Sequence, residues 1–163
     1  TIGTGKWYFV AVSNASATSR IFYAVDLSDG SVDINETDTT NIAVTANDDE
    51  PLRIGFFEVS AGGGTLTDYF NGRIDDVRIY TRALSAVELE ILGSSRLKYH
   101  PVSSSNLVGY WPLDDCPDGT SGDGDSFVDR SGNGSTVTGD NGANDTGLTC
   151  LGCSVLSYPW PIQ

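Results

Sequence analysis

The chain reads as an all-β protein of antiparallel strands with one short helix, and three observations predict this. Nineteen Gly stand among many Ser, Thr, Asn and Asp, the residues of tight turns. Short β-branched and aromatic runs alternate with those turn clusters, as strands do. A helix start is written at one place, Ser85 with Glu88 three residues on, which is a capping box. At 163 residues the chain is long enough for one ordinary domain with its own core.

Lys6-Trp-Tyr-Phe-Val-Ala-Val12 is predicted as a strand that stops at the turn-rich Ser13–Ser19. Arg20-Ile-Phe-Tyr-Ala-Val-Asp-Leu27 follows, ended by Ser28-Asp-Gly30, so the two runs form an antiparallel pair. Asn41–Ala46 and Leu52–Val59 are predicted as further strands around the acidic turn Asn47–Pro51, and Ala61-Gly-Gly-Gly64 as a mobile loop. Asp68–Tyr80 carries apolar residues on both parities, Phe70 and Ile74 against Val77 and Ile79. That pattern fits a strand covered on both faces or a bulge at Asp75-Asp76.

The helix begins at Ser85, with Val87 and Ile91 on one face, and Gly93 stops it. Gly93–Asn106 has the small polar composition and Pro of a linker or a long surface loop. Leu107-Val-Gly-Tyr-Trp-Pro-Leu113 is a strand whose Pro112 marks an edge or an end. After a Gly/Asp loop come Phe127-Val128, the turn Asp129-Arg-Ser-Gly-Asn-Gly134, and weaker strand signals at Ser135–Thr138 and Val155-Leu156. Two prolines hold the tail Tyr158–Gln163 extended.

Charge narrows the function classes. Nine Lys and Arg against 22 Asp and Glu leave a net charge of −13. Such a chain repels phosphate and anionic headgroups, which argues against nucleic acid and against membrane attachment through a basic patch. Membrane insertion is not expected either, because no run of eighteen apolar residues occurs. The complete lack of methionine is expected of a processed or excised piece. Cys116, Cys150 and Cys153 allow at most one intrachain disulfide and leave one thiol over. Few lysines and acidic loops suit a secreted or surface protein. The sequons at Asn14, Asn35, Asn133 and Asn144 are as many as chance supplies in such a composition.

Gly5-Lys-Trp-Tyr-Phe-Val-Ala-Val12, followed by Phe70-Asn-Gly-Arg-Ile-Asp-Asp-Val-Arg-Ile-Tyr80 and Arg82-Ala-Leu-Ser-Ala-Val-Glu88, closely resembles the closing half of laminin-G-like domains. These are concanavalin A-like jelly rolls. Leu107-Val-Gly-Tyr-Trp-Pro-Leu-Asp114 with Asp129-Arg-Ser-Gly-Asn-Gly134 resembles the opening half of the same family. The resemblance implies an antiparallel β-sandwich, with residues 1–92 as closing half, 93–106 as linker or long loop, and 107–163 as opening half plus extended tail. The closing motif precedes the opening one. A piece cut across two tandem domains, a circular permutation, or halves that complete sandwiches on neighbouring subunits would each produce that order.

The resemblance implies binding of a glycan or a protein surface, often with Ca²⁺. Candidate calcium ligands are the hard oxygens of Asp114, Asp118, Asp123, Asp125 and Asp129 in a Gly-rich loop; the plain alternative is a solvated acidic loop, and the spacing is not that of an EF-hand. Asp75 and Asp76 are expected to cap a bulge or to pair with Arg73 or Arg78 rather than to hold a metal. For stacking on a sugar ring the exposed candidates are Tyr69, beside the glycine loop, and Trp160 in the tail, whereas Trp7 and Trp111 sit in apolar runs and read as core.

Catalysis has little support. His100, the single histidine, lies in the linker-like stretch with no nucleophile elbow around it, and Glu88-Leu-Glu90 falls on the helix rather than alternating along a strand. Cys150-Leu-Gly-Cys153 lacks the strand-then-helix setting of a redox pair and a second pair for zinc. A disulfide from Cys116 to one of these two would tie down the acidic loop. The resemblance therefore implies a non-enzymatic binding or adhesion module, extracellular or on a cell or virion surface. The alternative is a structural subunit of a surface filament, fibre or virion, its partner being itself through strand exchange.

Overall fold

The computed structural model describes residues 2–41, 54–55, 57–58, 66–67, 70, 72–94, 104–115 and 126–139. They form antiparallel strands with a single helix among the described residues, as predicted. The chain divides into two compact units, Thr1–Leu52 with Arg78–Val108, and Arg53–Val77 with Gly109–Gln163.

The first unit is built on a three-stranded antiparallel sheet in the order β1 (Tyr8–Ser16), β2 (Ser19–Asp26), β3 (Val32–Asp38). Register places Phe9 opposite Val25, Ala11 opposite Tyr23 and Ser13 opposite Ile21. Side chains alternate across a pleated sheet, so these odd-numbered residues share one face. Helix α1 (Ala86–Gly93) packs there: Tyr23, Val25 and Leu89 are buried together, with Phe9, Ala11, Ile21 and Leu84 against them. The Phe9 and Tyr23 rings meet edge-on at 6.3 Å, and the Ser13 hydroxyl donates to the Leu84 carbonyl at 2.6 Å.

The capping box forms as read from sequence. Ser85 Oγ accepts the Glu88 N–H, and the Glu88 carboxylate accepts the Ser85 N–H at 2.9 Å. Arg82 donates to both Glu88 oxygens, at 2.9 and 2.5 Å. The helix turns Leu89, Leu92 and Gly93 inward, where they are buried, while Val87 is exposed. Gly93 is the last helical residue rather than the stop after it. A β-carbon there would meet Phe9, Val25 and Tyr23 at 3.0, 3.2 and 3.4 Å, so its role is close approach of helix to sheet.

Strand β3 is absent from the sequence reading. Val32 and Ile34 stand among Asp33, Asn35 and Glu36, poor strand formers, and pairing with β2 decides the matter. The turn between them is tied by Gly30 N–H to the Asp26 carbonyl at 2.8 Å and Asp26 N–H to the Ser31 carbonyl at 2.9 Å, with Gly30 at φ +75°. The strand predicted over Asp68–Tyr80 is shorter than expected. β6 spans only Val77–Tyr80, because Asp76 takes a left-handed φ of 59° and ends regular extension on its N-terminal side. β6 pairs with β7 (Leu107–Trp111), which ends before Pro112 as predicted. The strand expected at Asn41–Ala46 lies, after Asn41, outside the described residues.

In the second unit β4 (Phe57–Glu58) pairs with β5 (Leu66–Thr67), and β8 (Ser126–Phe127) with β9 (Val137–Thr138), both antiparallel. Phe127 is buried with Leu113 and Val137 against it. The Trp111 indole N–H donates to the Ser135 carbonyl at 2.7 Å, and Trp111 is 3% exposed, which makes it a core residue as predicted. Trp7 in the first unit is half-buried.

Candidate functional site

The even-numbered residues of β1 and β2 face away from α1. Val10 stands opposite Ala24 and Val12 opposite Phe22, while on β3 Ile34 stands opposite Ala24 and Glu36 opposite Phe22. Valines at 10 and 12 are 60% and 64% exposed, and Phe22 is 38% exposed. With Ile2 and Ile34 they line an open depression of about 250 Å³. A sheet face normally buries its apolar side chains against another layer, and an exposed apolar cluster marks a surface that something else covers.

Two ionic knots bracket this face. At one end the Lys6 ammonium meets Asp26 Oδ2 at 2.5 Å, and the Ser28 hydroxyl and N–H donate to Asp26 Oδ1 at 2.5 and 2.8 Å. The Lys6 bond first, then those from Ser28, hold the Asp26 carboxyl down at about 2, and the same bond raises the Lys6 ammonium. At the other end Arg20 donates to Asp38 and to the Thr40 carbonyl, both at 2.8 Å. The Thr40 N–H donates to Asp38 at 2.8 Å, and Thr40 leads the groups that lower the Asp38 carboxyl. These pairs fix the ends of β2 and leave the apolar centre between them.

The second unit contains the described part of the acidic region. Asp129 is 9% exposed and works as an anchor for the turn that follows it. Its Oδ1 accepts N–H from Tyr110 at 2.9 Å and from Ser131 at 2.8 Å. Its Oδ2 accepts the Ser131 hydroxyl at 2.8 Å and the Ser135 N–H at 3.0 Å. Gly132 and Gly134 supply the positive φ angles, 91° and 78°, that bring Ser135 back to the same carboxylate. Burial opposes ionisation here, but these donors outweigh it and hold the carboxyl at about 2. Next to it, Arg130 lies 2.8 Å from Asp115 and 3.7 Å from Asp114, and Asp115 also accepts the Val128 N–H at 2.7 Å.

Of the five predicted calcium ligands, Asp114 and Asp129 are described, and Asp118, Asp123 and Asp125 lie outside the described residues. Four hydrogen bonds fill the lone-pair directions of Asp129, and Asp114 faces a guanidinium. Among the described residues no group of three His, Cys, Asp or Glu side chains is arranged to hold a metal, and Asp129 has no lone pair left for one. The stacking candidates Tyr69 and Trp160, together with His100 and the three cysteines, also lie outside the described residues. Sequence reasoning missed the apolar face. Its signal was present in Lys6–Val12, where Phe9 and Ala11 on one parity and Val10 and Val12 on the other spell a strand apolar on both faces.

Among the described residues no helix is long and apolar enough to cross a membrane. Comparison with curated proteins and with solved structures finds no match. A family model does match, over residues 1–90. It covers the sheet, the helix start and the closing-half motifs, while the motifs at Leu107–Asp114 and Asp129–Gly134 fall outside it. Domains of this laminin-G type are generally non-enzymatic binding modules. With more than half of its length matched, the chain belongs to the laminin-G-like members of the concanavalin A-like lectin/glucanases superfamily, and its fold class is their all-β sandwich.

Proposed function

We propose that the chain is a non-enzymatic binding or adhesion module of an extracellular or surface protein, and that it takes a protein surface or a glycan. The observation that carries this is the open apolar face of Val10, Val12, Phe22 and Ile34 on the three-stranded sheet. Valine and isoleucine methyl groups suit burial against a protein. A sugar needs aromatic faces beside hydrogen-bonding groups; this face has one aromatic, Phe22, with Glu36 opposite it, and three aliphatic side chains, a balance that favours a protein partner. The test is binding of the wild-type chain and of Val12→Asp to a glycan array and to a panel of purified extracellular proteins, with sugar release assayed alongside. Val12 is solvent-exposed, so its replacement spares the core. Binding lost in Val12→Asp supports the reading; no binding on either panel, or release of sugar, overturns it.

Within the same proposal, Ca²⁺ is the cation for the loop carrying Asp114, Asp118, Asp123 and Asp125, with Asp129 left out because its lone pairs are filled. A melting temperature raised by about 1 mM Ca²⁺ and restored by EDTA supports it, and an unchanged one removes calcium from the reading.

The second reading, a structural subunit of a surface filament, fibre or virion, is favoured by one observation. Among the described residues, strand β1 stands at the edge of its sheet, without a single charged residue from Tyr8 to Ser16.

A further inference from the structure

The open face of the sheet carries a lopsided charge. On the β1 side no charged residue occurs from Tyr8 to Ser16, whereas β3 sets the exposed Glu36 beside Phe22 on that face. Residues 2–41 hold two cations, Lys6 and Arg20, against Asp26, Asp29, Asp33, Glu36 and Asp38. Both cations are already taken, Lys6 by Asp26 and Arg20 by Asp38. Among the described residues no cation pairs with Glu36, so an apolar stripe and a lone carboxylate lie side by side.

What can lie on a sheet face is limited by what the face offers. Backbone N–H and C=O groups are used within the plane of the sheet, so its face receives side chains only, and a segment placed on it must satisfy its own backbone. A helix does so. The opposite face shows the arrangement, with Leu89 of α1 buried against Tyr23 and Val25. Dimensions agree: three strands span about 10 Å, the width of one helix, and Tyr8 to Asn14 spans about 20 Å, the length of about 14 helical residues.

We propose that this face binds a basic amphipathic helix of another protein, with aliphatic side chains over Val10, Val12 and Phe22 and a Lys or Arg over Glu36. Charge selects this occupant. An apolar or acidic partner would leave Glu36 unpaired in a dry interface. The chain's net −13 repels anionic partners, a second copy included, and draws cationic ones. The inference rests on the reading of this face as a protein-binding surface and adds the class of partner.

The experiment titrates the full chain with two labelled helical peptides, two repeats of Leu-Lys-Lys-Leu-Leu-Lys-Leu and the same sequence with Glu for every Lys. Binding is followed by fluorescence anisotropy and by amide chemical shifts. The Lys peptide is expected to bind at least about tenfold more tightly than the Glu peptide, with shifts gathered at Val10, Val12, Phe22, Ile34 and Glu36. Val10→Thr with Val12→Thr keeps charge and β-branching, and Glu36→Lys reverses the one free carboxylate; each is expected to weaken binding about fivefold or more. Glu90→Lys makes the same charge change at an exposed position on α1 and is expected to alter binding less than about twofold. If a variant does not fold, the wild-type shifts decide alone. Shifts centred elsewhere, or equal weakening by Glu36→Lys and Glu90→Lys, mean attraction by net charge only and overturn the inference. No binding of the Lys peptide, or equal binding of both peptides, overturns it too. Equal binding that the threonine pair abolishes leaves the protein-binding reading of the face standing, and that reading falls only with the binding panels.

Discussion

Gly93, the last residue of α1, sits so near Phe9 of β1 that a β-carbon on it would lie 3.0 Å from Cδ1 of the ring. Val25 and Tyr23 crowd the same spot at 3.2 and 3.4 Å, so three sheet residues set how closely the helix can approach. Alanine would gain helix propensity of up to about 1 kcal/mol and lose most of it to the crowding. Gly93→Val is expected to destabilise the first unit by about 2–3 kcal/mol through overpacking. Urea unfolding followed by far-UV circular dichroism checks this, and a Gly93→Val midpoint equal to wild type would contradict the packing described.

A second glycine answers to an indole. A β-carbon at Gly109 would fall 2.1 Å from Cη2 of Trp111, so Gly109→Ala must push the ring out of its site and break its bond to the Ser135 carbonyl. The expected loss is about 2–4 kcal/mol, from overpacking and the lost hydrogen bond together. A red shift in tryptophan emission should accompany it, and an unshifted spectrum would mean that the ring lies elsewhere.

Asp129 accepts from three backbone N–H groups and one hydroxyl. In Asp129→Asn one oxygen becomes an amide that points hydrogens at donors. The expected cost is about 1–3 kcal/mol, with faster amide exchange at Tyr110, Ser131 and Ser135. Equal stability of Asp129→Asn and wild type would show that the turn is held by other means.

Asp26, Glu88 and Asp129 are each held at about 2: Asp26 first by Lys6, Glu88 first by Arg82, and Asp129 by its donors against the opposing effect of burial. Their ordinary values are 3.8 for Asp and 4.5 for Glu, so the folded state binds fewer protons than the unfolded one in this range. The stabilisation is complete above those values and is lost as pH falls from about 4.5 towards 2. The urea midpoint is expected to drop across that window. Glu88→Gln should start lower at neutral pH and fall less steeply, and parallel curves for the two would refute the assignment to Glu88.

Much of the fold is legible in local chemistry. The β1–β2 pair follows from two β-branched and aromatic runs around a turn cluster, the helix start from Ser85 and Glu88, and the end of β7 from Pro112, because each of these signals acts within a few residues of itself. β3 was not legible, since Val32–Asp38 is acidic and becomes a strand only by bonding to β2. Nor was the buried face of α1, which the sheet chose by accepting Leu89 and Leu92 in place of Val87. Of the candidate site residues, Asp129 was read as a hard-oxygen donor from composition. A carboxylate's capacity for a cation depends on which donors already occupy it, and Tyr110, nineteen positions away, is not visible from the turn itself.

By itself, the sequence determined the all-β class, the family, the acidic surface and the places where strands and helix begin, because turn chemistry, capping and charge are properties of neighbouring residues. Only the tertiary structure decided which side of each element is covered. Val10 and Val12 are as apolar as Phe9 and Ala11, and nothing in β1 distinguishes the two parities until α1 packs on one of them and leaves the other open.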